Sequence, residues 1–426
     1  MAKDKKLSPY EVLERFFDEG SFTELDAYLK GDAGEAEAVT GFGTVDGVPA
    51  FAFAQNTAVC GGAMSMAQAK KITKLFDAAL TTGAPVVGFY DSIGGRLEEK
   101  YGLLAAYGDI LKKTSKLSGV VPRLSVVLGN CFGTSALIAA SSDYVIMAKD
   151  AQLSIATDGA KASADDNFSA GTAQFVCNTA EDAVDQAKTL LSYFPTNNLE
   201  AAPAFESLPI YEAPDRLPKY IADDGSLICV GVADGVCTAF GRVDGNAVGF
   251  VVTRGEDITS ANAKKIMKHV RFCDAFSLPL ITLVDAKSFT ALQDAAALCA
   301  AYADATTAKI SVISGKAVGA VYIALAGTTS GADVVYALSD AVISPIEANA
   351  YAYLLDDSVA ETPYAEQQAK IDAYIAANLT AEKAAEDGYV DDIVLPEELR
   401  AKIAAALTML SSKRVATLPK KHTTNL

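Results

Sequence analysis

Histidine is nearly missing from this chain: His269 and His422 are the only two. A Ser-His-Asp or Cys-His machine therefore has almost nowhere to form. His269 falls in a helical segment where packing or surface is its plain role, and His422 sits in the tail. The seven cysteines, at 60, 131, 177, 229, 237, 273 and 299, include no Cys-x-x-Cys pair. That argues against a zinc site and a disulfide framework alike, so no metal is expected. Scattered thiols in a reducing compartment account for them, and Cys131, though beside a glycine turn, has no evident base to make it a nucleophile. Basic residues are also short: 36 Lys and Arg stand against 53 Asp and Glu, a net charge of −17. Nucleic acid or an anionic membrane is thereby excluded as the main partner. No window reaches about eighteen uncharged apolar residues, the length a membrane span needs, and the opening Met1-Ala-Lys-Asp-Lys-Lys6 lacks the apolar core of a signal peptide. The expectation is a soluble, cytoplasmic protein. Neither a phosphate-binding Gly-x-x-x-x-Gly-Lys nor a usefully placed Gly-x-Gly-x-x-Gly occurs, so nucleotide hydrolysis and a dinucleotide cofactor recede.

What is present occurs twice. Residues 67–91 align without a gap onto residues 261–285, matching Lys71 with Lys265, Pro85 with Pro279 and Asp91 with Asp285. Pro122 through Gly133 then lies over Ala308 through Gly319, and Val45-Asp-Gly47 answers Val243-Asp-Gly245. Three blocks in one order mean a duplicated domain, with a period far too long for a solenoid. The length of 426 residues suits two or three domains with their own cores, and the duplication places two, at 1–205 and 206–426.

Taken in order, Ser8-Pro9 opens a helix to Phe17, and strands at 38–42 and 48–54 form a hairpin around Asp46-Gly47. A glycine loop leads into the helix of Lys70 and Lys71. The short apolar strand Pro85-Val-Val-Gly-Phe-Tyr90 is of the doubly covered kind. A helix around 101–117, strands at 124–128, 144–147 and 153–155, and a helix over 180–192 complete the first half. The Pro- and Asn-rich stretch 194–214 reads as the linker. The second half repeats the plan with strands at 247–253, 279–284 and 309–313 and a helix over 260–276; at 290–308 a shortened, alanine-rich loop is expected. Helices near 380–387 and 400–414 flank the stretch Gly388-Tyr-Val-Asp-Asp-Ile-Val-Leu-Pro396. Strands alternating with helices make the fold α/β, a stack of βαβ units.

A strand that ends in a glycine turn and feeds a helix aims backbone N–H groups at one spot, where they favour a developing oxyanion. Gly133-Thr134 and Gly319-Ala320-Val321 are two such turns, one per half. The bland alternative is that these glycines only let helix pack on strand. Arg96, Lys70 and Lys71 are candidates to offset a phosphate, although a helical lysine such as Lys70 is more often a solvated face.

Several stretches resemble one family: Phe17-Asp-Glu-Gly-Ser-Phe-Thr-Glu24, Val39 to Gly47, Phe53-Ala-Gln-Asn-Thr-Ala-Val-Cys-Gly-Gly62, Asp91-Ser-Ile-Gly-Gly-Arg96, Ile266 to Asp285, and the Lys413-Arg and Lys420-Lys-His422 ending. Their order over nearly the whole chain is similar to that of carboxyltransferase subunits of biotin-dependent acyl-CoA carboxylases and decarboxylases. The resemblance implies two crotonase-like ββα spiral domains, the first for acyl-CoA and the second for biotin. It implies backbone donors at Gly133 and Thr134 for the thioester and at Ala320 and Val321 for biotin. Gly94, Gly95, Arg96, Lys71 and Gly319 would line the cofactor sites. It further implies a coenzyme A thioester substrate and biotin on a separate carrier, since the chain has no Met-Lys-Met site. Further implied partners are the biotin carboxyl carrier protein, a biotin carboxylase or a membrane decarboxylase subunit, and either a homo-oligomer (a dimer or a trimer of dimers) or a hetero-oligomer with a paralogue. The chain departs from the family at Asp285-Ala-Lys-Ser-Phe289, where Asp-x-Pro-Gly-Phe is usual, at Asn56 for an aspartate, and around Thr157-Asp-Gly159. Two further readings are a non-catalytic subunit that pairs with an active paralogue, and a crotonase-type acyl-CoA enzyme without biotin.

Overall fold

A computed structural model describes residues 6–156, 161–210 and 215–416. The chain divides into two compact units, Met1–Ala201 and Ala202–Leu426. The divide precedes 205 because the segment after it is pinned to the second unit: Phe205 N–H donates to the Gly245 carbonyl, and Ala247 N–H to that of Pro203.

Local rules set the elements. Ser8 caps the helix Pro9–Phe16, its hydroxyl accepting the Glu11 amide while the Glu11 carboxylate accepts the Ser8 amide. The hairpin Ala38–Val45 with Val48–Gln55 closes through Asp46 and Gly47, at φ 51° and 78°, the left-handed pair that a two-residue hairpin needs. The Asp18 carboxylate accepts both turn amides at 2.9 Å. The second unit repeats this at Asp244 and Gly245, whose amides donate to Asp223 at 2.9 Å.

In the first unit the sheet runs Thr23–Leu25, Ala38–Val45, Val48–Gln55, Val86–Ser92, Arg123–Phe132, Tyr144–Ala148, Phe175–Cys177. From Val48–Gln55 onward the neighbours are parallel, and Gln152–Ser154 pairs with the outer end of Arg123–Phe132. The second unit keeps the same order, from Ile228–Ala233 through Val236–Val243, Asn246–Thr253, Leu280–Ala286, Lys309–Val318 and Val334–Ala337 to Asp392–Ile393, with Val342–Ser344 against the outer end of Lys309–Val318. The expected duplicated α/β architecture is present. Helices Met66–Thr82 and Ser260–Ala275, capped by Ser65 and Thr259, occupy the same place in each unit. Phe53, Ile72, Leu75, Val127 and Met147 fill one core, and Phe250, Leu283, Val312 and Ile403 the other. Each such side chain removed from water contributes about 1.5–3 kcal/mol.

One expectation fails. Residues 290–308 are not a shortened loop: Leu292–Asp304 is a helix, the counterpart of Tyr101–Leu117. Its alanines favour helix, and what is trimmed is the turn ahead of it, since Leu97–Glu99 has no equivalent. The helices Ala348–Leu355, Asp357–Glu361 and Tyr364–Asn378 have no counterpart in the sequence reading. Thr157-Asp-Gly159 and the Lys420-Lys-His422 ending lie outside the described residues.

Candidate active site

Both sheets end their central strands in the same device. The Asp91 carboxylate accepts the amide of Asn130 at 3.0 Å, and that of Asp285 accepts the amide of Lys316 at 2.9 Å. Behind them the Asp91 amide donates to Gln55 Oε1 at 3.1 Å and the Asp285 amide to Thr253 Oγ1 at 2.7 Å. These aspartates fix where each long strand bends toward its glycine turn.

The turns themselves are alike. Gly133 has φ 65° and Gly319 φ 48°. Both glycine amides are already used inside the fold: Gly133 N–H donates to the Ser154 carbonyl at 3.0 Å, and Gly319 N–H to that of Ser344 at 2.8 Å. The expectation that Gly133 N–H serves a substrate oxygen is therefore corrected, because the strand Gln152–Ser154 takes it. Among the described residues, no acceptor takes the N–H groups of Thr134 and Ser135 in the first unit or of Ala320 and Val321 in the second. These are first-turn amides, which a helix leaves without partners. Thr134 is half-buried and Ala320 exposed, whereas Val321 is buried.

Gly94, Gly95 and Arg96 form the loop after Val86–Ser92. Met64 N–H donates to the Gly94 carbonyl at 2.8 Å and Arg96 N–H to that of Met64 at 2.9 Å. Tyr107 ties this loop to the first turn: its hydroxyl lies 3.1 Å from Ser135 Oγ, and a Cβ added at Gly95 would sit 3.0 Å from that same hydroxyl. Arg96 donates to Glu37 at 2.8 Å. Burial raises the Glu37 carboxyl above its ordinary range although Arg96 pulls it the other way. In the second unit the matching bridge runs from Ile258 to Phe289, so Ser288 and Phe289 stand where the first unit has Gly94 and Gly95.

Lys71 is buried, and its ammonium donates to the Ala38 carbonyl at 3.1 Å. Burial lowers its pKa. Lys265 likewise reaches the Gly231 carbonyl. The two lysines brace helix against sheet, with the Lys71 ammonium engaged by a main-chain carbonyl inside the fold; Lys70 is exposed. Cys131 is buried, and burial pushes its thiol up, the neighbouring Asp91 adding to the effect. His269 is packing: its ring lies 4.8 Å from that of Phe240.

A cavity of about 730 Å³ in the first unit is lined by Lys6, Gln55, Tyr90, Asp91 and Asn130, among others. One of about 530 Å³ in the second is lined by Cys229, Cys237, Thr253, Arg254 and Asp285, among others. Neither is lined by the glycine turns themselves. Among the described residues no cluster of three or more His, Cys, Asp or Glu is placed to hold a metal, and no helix is long and apolar enough to cross a membrane.

Two α/β units of one plan, each carrying open amides at a strand-to-helix turn, are the framework of enzymes that stabilise an oxyanion with main-chain donors. The chain belongs to the carboxyl transferase family, whose domain model matches residues 2–426. It is 33% identical to methylmalonyl-CoA decarboxylase subunit alpha of Propionigenium modestum, over 98% of this chain and 92% of that one. It is also 33% identical to the methylmalonyl-CoA carboxyltransferase 12S subunit of Propionibacterium freudenreichii subsp. shermanii, over 98% and 91%. The crystal structure of transcarboxylase 12S, described as a hexamer with hydrolysed methylmalonyl-coenzyme A bound, superposes with a TM-score of 0.91 at 32% identity, covering 98% of this chain and 92% of the other. The expected activity, acyl-CoA carboxyl transfer, is the one that membership assigns.

Proposed function

We propose that this protein moves a carboxyl group between biotin on a separate carrier protein and the α-carbon of a short acyl-CoA, with the first unit serving acyl-CoA and the second serving biotin. The observation that carries the reading is the pair of turns with open amides, one per unit, in a chain that matches carboxyltransferases along almost its whole length. In the first unit, Thr134 and Ser135 N–H groups would receive the thioester oxygen as negative charge grows on it. In the second, Ala320 and Val321 would do the same for the ureido oxygen. Biotin, when bound, supplies the carboxyl acceptor or donor and exchanges the proton, which suits a chain whose one described histidine is a packing residue. Donors fixed in place before reaction are each worth about 3–4 kcal/mol of transition-state stabilisation. Gly94, Gly95 and Arg96 would lie beside coenzyme A, linked to Ser135 through Tyr107. The protein would act in an oligomer, with a biotin carrier as partner, in the cytoplasm.

A second reading, a non-catalytic subunit paired with an active paralogue, is favoured by Lys287 and Ser288, which stand where the resemblance leads one to expect Pro-Gly. One experiment separates the two. Purified protein is given free biotin and malonyl-, methylmalonyl- or glutaconyl-CoA, and released CO2 is measured. Biotin-dependent release supports the carboxyltransferase. Tight CoA binding without turnover supports the non-catalytic subunit, and release that ignores biotin supports a biotin-independent acyl-CoA enzyme.

A further inference from the structure

Two of the cysteines are neighbours across a strand pair. Ile228–Ala233 runs antiparallel to Val236–Val243, and a register shift between Cys237 and Ala239 sets Cys229 opposite Ala239 and Cys237 opposite Val232. On that diagonal the two sulfurs are 3.7 Å apart. Cys229 is exposed and Cys237 buried, and both line the cavity of the second unit beside Arg216 and Arg254. The Lys265 ammonium sits at the Gly231 carbonyl, on the same strand as Cys229. The hydrogen bond from Cys237 draws the Cys229 thiol down, and the charges of Arg216, Arg254 and Lys265 assist, while burial opposes. Cys237 is pushed up by that same bond and by burial. Of the two sulfurs, the accessible Cys229 is the one favoured as thiolate, with the buried Cys237 thiol held 3.7 Å away. That is the state in which a cysteine reacts with electrophiles. Cys131 and Cys273, by contrast, are buried, and burial pushes both thiols up.

We propose that Cys229 and Cys237 form a dithiol modification site in the second unit, where a small hydroperoxide such as hydrogen peroxide converts the pair to a disulfide. The Cys229 thiolate attacks one peroxide oxygen and the O–O bond breaks. The hydroxide that leaves takes up a proton to become water, and Cys229 becomes a sulfenic acid. Cys237 sulfur then attacks the sulfur of Cys229 and gives up its proton, the S–O bond breaks, and a second water departs. Two thiols lose two electrons in all, and one peroxide becomes two waters. A disulfide forms at an S–S length near 2.05 Å, so closure asks for a movement of under about 2 Å between two strands that are already paired.

The test needs no assumption about carboxyl transfer. Tryptic cleavage after Lys219 and Arg242 releases peptide 220–242, which holds Cys229, Cys237 and no other cysteine. Reduced full-length protein is treated with one equivalent of hydrogen peroxide at pH 7, quenched with an alkylating reagent and mapped by mass spectrometry. The expected result is a peptide 220–242 that has lost two hydrogens and resists alkylation until dithiothreitol is added, while Cys60 remains alkylatable. In the untreated protein Cys229 should alkylate about tenfold faster than exposed Cys60, the gain in thiolate being partly offset by lower intrinsic nucleophilicity. Cys237→Ser should leave a dimedone-reactive sulfenic acid at Cys229, and Cys229→Ser should leave Cys237 reduced. A Cys229 no faster than Cys60, or a wild-type protein that keeps a sulfenic acid without closing the disulfide, would overturn the proposal.

Discussion

The carboxylate of Asp285 holds the amide of Lys316 at 2.9 Å, and Gly315 makes that approach possible, because a Cβ added there would fall into the carboxylate. Gly129 stands in the same relation to Asp91. Gly315→Ala and Gly129→Ala should each destabilise their unit by about 1–3 kcal/mol through overpacking. Urea denaturation followed by circular dichroism would read this as a lower midpoint. Gly108 is the control: it lies inside Tyr101–Leu117 with open space around it, so Gly108→Ala should stabilise by about 0.5–1 kcal/mol. Equal behaviour of Gly108→Ala and Gly315→Ala would refute the packing argument.

Removing one N–H without moving a side chain tests the turns. Thr134 is the first helical residue after Gly133, a position where proline is tolerated and its missing N–H breaks no helical bond. Thr134→Pro is expected to lower kcat about 10²–10³-fold, the usual cost of one oxyanion donor, with far-UV circular dichroism unchanged. Thr134→Ala keeps the N–H, so the ratio of the two variants is the readout, and a ratio near one would remove this amide from the mechanism. Ala320→Pro asks the same question on the biotin side, through the dependence of rate on biotin concentration.

The duplication was open to a reader of the sequence because the bracing groups are side chains: Lys71 and Lys265, Asp91 and Asp285 each leave a letter behind. The use of Gly133 N–H by Ser154, and of Gly319 N–H by Ser344, leaves none. A backbone-to-backbone bond places no demand on residue type, so Gly133 looked like a free donor. Lys71 is silent for a related reason: a lysine beside a glycine loop looks the same in sequence whether its ammonium meets a phosphate or the Ala38 carbonyl. The helix Leu292–Asp304 has no side-chain cap, so its start leaves no mark in the sequence. Cys229 and Cys237 gave no motif, since their meeting depends on the register shift between two strands.

Arg96 carries two roles that one substitution would confuse. It faces Glu37 at 2.8 Å, with side chains 13% and 1% exposed, and Ser65 also donates to that carboxylate. Arg96→Met leaves a buried carboxylate without its cation and should destabilise the first unit, read as a lower urea midpoint. Adding Glu37→Gln removes the stranded charge and should restore most of the loss. If Arg96 also touches coenzyme A, the double variant regains stability but keeps a raised KM for acyl-CoA. Recovery of both together would assign Arg96 to the fold alone.

His269 makes the second unit sensitive to mild acid. Burial lowers its pKa from an ordinary 6.5 to about 3, and the charge of Lys265 adds to the effect. A folded-state pKa below the unfolded one means that the imidazole stays neutral in the fold while the unfolded chain takes up a proton. The contribution is intact above pH 6.5 and is lost progressively as pH falls toward 3, at roughly 1.4 kcal/mol per pH unit within that window. Between pH 6.5 and 5, before most carboxylates protonate, the loss should reach about 2 kcal/mol. His269→Gln has no proton to take up there. Denaturant titrations of the two proteins at half-unit intervals should therefore converge as pH falls, the wild type losing its advantage. Parallel curves across that interval would mean that His269 is protonated in the folded chain.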